Sequence, residues 1–315
     1  MKMNDIDILS VGILVADIIT KPVDEIPKKG LLRRVESIEL FNGGNAMTSA
    51  INVSKLGLKS AVIGKIGNDS FGDSLVKILE KNHVNYEGLA IDEFVQTSTT
   101  VVLSSTDGER TFLHCVGANG TFAIDDINWD IVKKAKIVFV TGTFLLDTFD
   151  GEQTMQFLKE CKNLGKITAL DVCWDSGGKW GKLLDMCMPY IDIFMPSIEE
   201  AMEISGKTHI DEIADIFFAK GVKSVVIKLG KDGCYIRESV NAEAHTIPTY
   251  THIKPVDTTG AGDSFCSGFL TALTKGKDFM ECAKFANAVG THCVMAKGAT
   301  TGIKSYDDII KFMNE

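Results

Sequence analysis

Short runs rich in β-branched residues alternate with amphipathic stretches along this chain, and no other feature restricts its possible folds as strongly. Residues 6–15, 60–66, 136–141, 166–172, 191–195 and 224–229 read as strands. Residues 46–56, 71–81, 152–164, 198–204, 211–220, 261–275, 278–295 and 306–313 read as helices. The run at 136–141, Lys-Ile-Val-Phe-Val-Thr, lacks polar alternation at its centre, the pattern of a strand buried on both faces of a parallel sheet. An α/β fold follows, with a mostly parallel central sheet, helices on both faces, and ligands at the carboxyl ends of the strands.

Two excursions interrupt the alternation. Residues 97–116 hold two short strands across the turn at Asp107-Gly108. Residues 16–41, with Pro22, Pro27 and Gly30, form the other. Pooled, they predict a small β flap over the ligand edge of the sheet. No linker, repeat or low-complexity tract divides the chain, so residues 1–315 read as a single domain with flap strands inserted at about 16–41 and 97–116.

The 33 basic residues stand against 42 acidic ones, a formal charge of −9. Such a surface repels polyanions, which argues against DNA or RNA as partner but leaves room for a small phosphorylated ligand held by backbone N–H groups. No run approaches the roughly 18 apolar residues of a membrane span, and the first residues lack the basic-then-apolar form of a signal peptide. Eight cysteines without a C-x-x-C pair fit core thiols in a reducing compartment. A soluble, cytoplasmic protein is the expectation.

The strongest chemical signal is Val256-Asp-Thr-Thr-Gly-Ala-Gly-Asp-Ser-Phe-Cys-Ser-Gly-Phe-Leu270. Phe265, Phe269, Ala272 and Leu273 recur at helical spacing, so Gly260-Ala261-Gly262-Asp263 sits where a helix begins. Its unpaired N–H groups form a site for an anion, and glycine lets a phosphate approach the backbone. Two readings fit Asp263: a general base, or a helix N-cap. The second signal is Phe41-Asn-Gly-Gly-Asn-Ala-Met-Thr-Ser-Ala50. Gly43, Gly44 and Asn45 at a helix start read as a site for something polyhydroxylated, or as a routine turn. Asp17, after the first strand, is the carboxylate placed to face them and grip a diol, or else a solvated loop residue. P-loop, dinucleotide, H-E-x-x-H and G-x-S-x-G motifs are absent. The six histidines are scattered, which disfavours a His metal site, while His114 on the flap is a candidate substrate contact.

Asp257-Thr-Thr-Gly-Ala-Gly-Asp-Ser-Phe265 together with Gly43-Gly-Asn-Ala46 closely resembles the two signature motifs of the ribokinase/PfkB family of carbohydrate kinases, in the family's order and at its usual separation. The resemblance covers nearly the whole chain. It implies a ribokinase-like α/β fold with a small β-strand lid, and an ATP-dependent, Mg²⁺-assisted transfer of phosphate to an alcohol group of a sugar. Asp263 matches the family's catalytic base, and Gly260, Ala261 and Gly262 its anion hole. Asp17, Gly43, Gly44 and Asn45 fall on sugar-binding positions, with Thr48 and Asn119 as companions. Ser197, Lys228, Gly230, Gly233 and Asn287 match the nucleotide side, and Glu200 the residue that organises hydrated Mg²⁺. Asp257 and Thr259 match positions that bind an activating monovalent cation in many relatives, which makes K⁺ an expected cofactor.

This chain departs from the family pattern at Ser197 and Thr48, where Asn is usual. The first motif has no Lys or Arg from Phe41 to Ser54, which favours a neutral substrate over a sugar phosphate; ribose, fructose, another hexose, a keto-deoxy sugar acid and a nucleoside all remain. Arg110 reads as part of a solvated hairpin. Trp129, Trp174 and Trp180 read as packing residues, which ranks nucleosides below free sugars. A nucleoside kinase and a non-catalytic sugar- or nucleotide-binding protein on the same fold are the alternatives. Exposed flap edges invite pairing with a second copy, so a homodimer through the lid strands is expected.

Overall fold

The computed structural model describes residues 5–107 and 109–315. Gly108 of the expected flap turn and residues 1–4 of the expected leaderless start lie outside them. In chain order the strands are β1 (Ile6–Gly12), β2 (Val15–Lys21), β3 (Ser37–Gly43), β4 (Ser60–Gly67), β5 (Asn85–Asp92), β6 (Thr99–Ser104), β7 (Arg110–Cys115), β8 (Ala135–Thr143), β9 (Ile167–Val172), β10 (Ile193–Phe194), β11 (Ser224–Lys228), β12 (Cys234–Arg237) and β13 (His245–Ile247). The helices are α1 (Asn45–Lys55), α2 (Ser70–Lys81), α3 (Trp129–Lys134), α4 (Glu152–Asn163), α5 (Gly181–Leu184), α6 (Ile198–Ser205), α7 (Ile210–Ala219), α8 (Ala261–Thr274), α9 (Phe279–Val294) and α10 (Tyr306–Met313).

Nine strands form one sheet in the order β13-β12-β11-β10-β9-β8-β1-β4-β5. All neighbours are parallel except at β11/β12 and β12/β13. The chain leaves β1 for β4 on one side and later returns to β8 on the other, so strand order reverses beside β1, the usual place for a ligand crevice. Strand β8 shows why the central run lacks polar alternation. Val138 and Val140 enter one core with Phe157 and Phe194, while Ile137 and Phe139 enter the opposite one with Phe265 and Phe269. Each such buried side chain contributes about 1.5–3 kcal/mol, so both faces of the strand hold helices in place.

The expected single strand over 6–15 is in fact split between two sheets. Strand β1 ends at Gly12, where a Cβ would lie 1.8 Å from the Thr141 carbonyl oxygen, and after Ile13 and Leu14 the chain enters a separate sheet as β2. That second sheet, β3-β2-β6-β7, unites the two flap excursions as a lid. Strand β2 pairs antiparallel with β3 and parallel with β6, and β6 pairs antiparallel with β7. Strand β5 was not foreseen, because an edge strand with Asn85, Glu87 and Asp92 lacks the apolar run of a central one. All eight cysteines are free, and among the described residues no helix is long and apolar enough to cross a membrane.

Candidate functional site

Helix α8 starts after Gly260, whose φ of 75° is left-handed and whose Cβ, if present, would meet that of Ala299 at 2.4 Å. Gly260 is therefore the N-cap, and Asp263 is not. Asp263, in the first turn, instead accepts a hydrogen bond from Asn45 Nδ2 at 2.8 Å, joining the start of α8 to the start of α1 across 218 residues. The Ala261 N–H donates to the Thr258 carbonyl at 3.2 Å, whereas those of Gly262 and Asp263 have no partner within the helix. Burial pushes the Asp263 carboxyl up to about 7; the charges of Asp171 and Glu200 act the same way, against the Asn45 bond and Lys228. A carboxyl so poised accepts a proton near neutral pH.

Behind Asp263 lies a polar cluster from the ends of β9 and β11. Lys228, at the end of β11, donates to Asp171 Oδ1 at 2.7 Å, and a Cβ on Gly262 would lie 3.4 Å from its Nζ. Burial opposes the lysine's charge, but Asp171, Cys266 and Glu200 outweigh it and raise its pKa. Asn45 Oδ1 accepts from the Cys173 thiol at 3.3 Å, so the amide is held from both ends. Asp171 and Cys173 were missed in the sequence, although a polar pair closing an apolar strand in an α/β protein is a legible signal.

The opposite wall is the lid. A Cβ on Gly43 would lie 2.1 Å from Asp17 Oδ2, so the carboxylate occupies the space that glycine leaves. Gly44, at φ 83°, packs against the Ile13 carbonyl and opens α1. Burial pushes Asp17 up to about 6, partly offset by the Thr100 hydroxyl. Asp17, Thr100 and His114 are direct neighbours across β2, β6 and β7, and Thr100 Oγ1 lies 3.0 Å from His114 Nδ1. Thr48 is one turn further along α1 and buried.

Other expected site residues have structural partners. Asn119 donates to the Leu14 carbonyl at 2.9 Å and accepts from the Leu14 N–H at 3.2 Å, so its amide braces the crossover into the lid rather than standing free for a sugar. Asn287 donates to the Ile247 and Pro248 carbonyls at 3.0 and 3.2 Å, fixing the end of β13 rather than a nucleotide. Gly230 and Gly233 belong to the turn between β11 and β12, where a Cβ on Gly233 would lie 2.0 Å from the Ile247 carbonyl oxygen. Ser197 caps α6: its hydroxyl accepts from the Glu200 N–H at 3.3 Å, and Glu200 Oε2 accepts from the Ser197 N–H at 2.7 Å. Trp174 is 55% exposed and edge-on to Trp180, so its reading as a packing residue is corrected.

Arg110 is also corrected. Its guanidinium donates to Asp257 Oδ1 at 2.7 Å and to Thr259 Oγ1 at 2.5 Å, an ion pair rather than a solvated tip. Asp257 Oδ1 accepts from the Thr259 N–H and Oδ2 from the Gly298 N–H, at 2.9 and 3.0 Å. Both oxygens thus accept from protein donors, and Arg110 engages the two side chains, Asp257 and Thr259, at which K⁺ was expected. For Mg²⁺ the fit is different. Among the described residues no three potential ligands converge, while Glu200 keeps Oε1 outside its helix cap. That suits an ion that stays largely hydrated and arrives with phosphates.

Residues 5–305 match the family described as pfkB family carbohydrate kinase. An uncharacterized sugar kinase from Pyrococcus horikoshii is 31% identical over 312 residues, 97% of this chain and 95% of that protein. Its crystal structure aligns with a TM-score of 0.77 over 96% of each chain. Fructokinase-2 of Solanum lycopersicum is 27% identical over 286 residues, 86% of each protein. Arabidopsis thaliana ribokinase, solved with ribose and ATP, is 25% identical with a TM-score of 0.84 over 98% of this chain and 99% of that one. With a family match spanning all but the two ends and a fold shared along nearly its whole length, the chain belongs to the pfkB family of carbohydrate kinases.

Proposed function

We propose that the chain transfers the γ-phosphoryl group of ATP to an alcohol group of a free, neutral sugar, working as one kinase unit with its lid. The observation that carries this reading is the Asn45–Asp263 hydrogen bond at the open N-terminus of α8. A sugar hydroxyl set against Asp263 gives it a proton as its oxygen forms a bond to the γ-phosphorus and the bond to ADP breaks. The backbone from Gly260 to Gly262, with Lys228 beside it, offsets charge gathering on the transferred group. Asp17 accepts from neighbouring sugar hydroxyls, and Gly43, Gly44 and Asn45 shape the pocket floor. Ser197, Lys228, Gly230 and Gly233 line the nucleotide side, and Glu200 orders the water shell of Mg²⁺. The ion, when bound with ATP, neutralises phosphate charge.

Neutrality of the substrate is supported by the absence of Lys or Arg from Phe41 to Ser54 and by the engagement of Arg110 with Asp257. Relatives named as fructokinase and ribokinase support a free sugar. The exposed Trp174, next to Cys173, favours a second reading in which the sugar carries a flat ring, as a nucleoside does. Eight free cysteines support a reducing, cytoplasmic setting. The test is ADP release with ATP and Mg²⁺ across ribose, fructose, other hexoses, keto-deoxy sugar acids, nucleosides and sugar phosphates. A free sugar is expected to respond most strongly. A nucleoside as sole responder establishes the second reading, and binding without turnover leaves a sugar-binding protein on a kinase fold.

A further inference from the structure

We propose that Arg110 is a positioning residue for phosphoryl transfer, a cation delivered by the lid that fixes the turn leading into the anion hole. The proposal rests on the sugar-kinase reading and deepens it by naming what holds that turn.

Arg110 opens β7 at the end of the lid farthest from the crossover, paired with Ser104. Residues two apart on a strand share a face, so Arg110, Phe112 and His114 lie on one side of the lid, the side that carries Asp17 and Thr100. That side faces the large sheet's domain, because the guanidinium reaches Asp257 and Thr259 there. Asp257 is a hub. Its two oxygens also hold the Thr259 and Gly298 N–H groups, which ties the turn before α8 to the loop after α9. Thr259 immediately precedes Gly260, the N-cap of α8. A single side chain therefore links the sheet bearing the Asp17 sugar contact to the backbone that would receive the transferred phosphate. The Arg110 and Asp257 side chains are only 33% and 13% exposed, so solvent screens the pair incompletely.

Two consequences follow from the geometry. The fixed charge that the turn requires comes from the polypeptide, so turnover needs no monovalent cation. The charge also arrives only while the lid is down, so the anion hole is held in shape only over an enclosed sugar. With Arg110 removed, Asp257 Oδ1 and the Thr259 hydroxyl regain free lone pairs, and a small cation then has oxygen donors to bind.

The experiment uses the full-length protein and whichever sugar the ADP-release panel identifies. Wild-type turnover is measured with K⁺ and with choline as the only monovalent cation, and Arg110→Ala under the same conditions. The expected result is a change of less than twofold for the wild type between the two salts. For Arg110→Ala in choline, kcat is expected to fall at least tenfold with the KM for ATP nearly unchanged, and K⁺ to restore a substantial part of the loss. Recovery on adding K⁺ shows at once that the variant is folded. The proposal is overturned by a wild type that depends on K⁺ more than tenfold, by a variant within twofold of wild-type kcat, or by a loss that K⁺ leaves untouched. Failure of the underlying reading looks different: the wild type itself then responds to no sugar.

Discussion

Asp263 shows how a single carboxyl acquires its chemistry from its surroundings. Burial and the nearby Asp171 disfavour its charge, Asn45 and Lys228 favour it, and the balance lies near neutrality, at about 7. A base must be unprotonated to act, so kcat/KM is expected to rise with pH and level off above a midpoint near that value. Asp263→Asn should lower kcat by roughly 10²- to 10⁴-fold, leave ATP affinity nearly unchanged and abolish that limb of the profile. Equal turnover in the mutant would falsify the base assignment. Gly43 is a second case: its absent side chain is what admits Asp17. Gly43→Ala should raise the sugar KM by about 10-fold or more by displacing a charged acceptor, with the ATP KM unaffected; parallel changes in both would remove Asp17 from the sugar site. Asp263 and Gly43 were legible because each stands in a compact motif at a helix start. The partners of Asn119 and Asn287 lie 105 and about 40 residues away, and no local pattern announces them.

Elements with long apolar faces were read almost to the residue. Helices α1, α4, α8 and α9 each fall within two residues of their expected limits: α4 buries Thr154, Phe157, Leu158 and Cys161 at three- and four-residue spacing, while α1, α8 and α9 are buried along most of their length. The boundary between β1 and β2 was missed for a physical reason: Ile13, Leu14 and Val15 are apolar on both sides of the crossover, so hydrophobicity continues while the sheet changes. Where α8 crosses α9, small residues set the distance. A Cβ on Gly268 would lie 2.9 Å from Val289 Cβ and 3.1 Å from the Ala286 backbone. Gly268→Val is expected to cost about 1–3 kcal/mol through overpacking, lowering Tm by several degrees in a thermal melt. The KM values should stay near those of the wild type, since neither helix start moves. An unchanged Tm would mean that the two helices separate freely.

At the level of the whole molecule, the outer side of the lid is unusually apolar. Ile38 and Leu113 are 66% and 62% exposed, and Leu40 stands between them in sequence order on the same face of β3 as Ile38. We propose that this face meets the same face of a second copy, and light scattering at working concentration should return the mass of a dimer. Ile38→Asp with Leu113→Asp should shift that mass toward the monomer; a monomeric wild type would refute the pairing. The alternation of strands and helices made the large sheet legible from the sequence, and the two excursions made the lid legible as an insertion. The latch between Arg110 and Asp257 was not legible, because an Asp-Gly-Glu-Arg segment has the composition of a free hairpin and only the assembled fold brings Asp257 beneath it.

The attachment of the lid sets how it can move. The chain enters it directly from the central strand, and Asn119, at the other end of the lid's strands, grips both backbone groups of Leu14 in that same crossover. The chain's first entry into the lid and its last exit are therefore pinned together, and a rotation about this crossover is the motion expected of the sheet. On such a lever Asp17 sits about 7 Å from the pivot and Arg110, four residues further along the paired strands, roughly 20 Å out, at about 3.3 Å per strand residue. A small rotation hardly disturbs the grip on a sugar, yet it carries the guanidinium through a much longer arc, making the far tip the sensitive gauge of whether the cleft is shut.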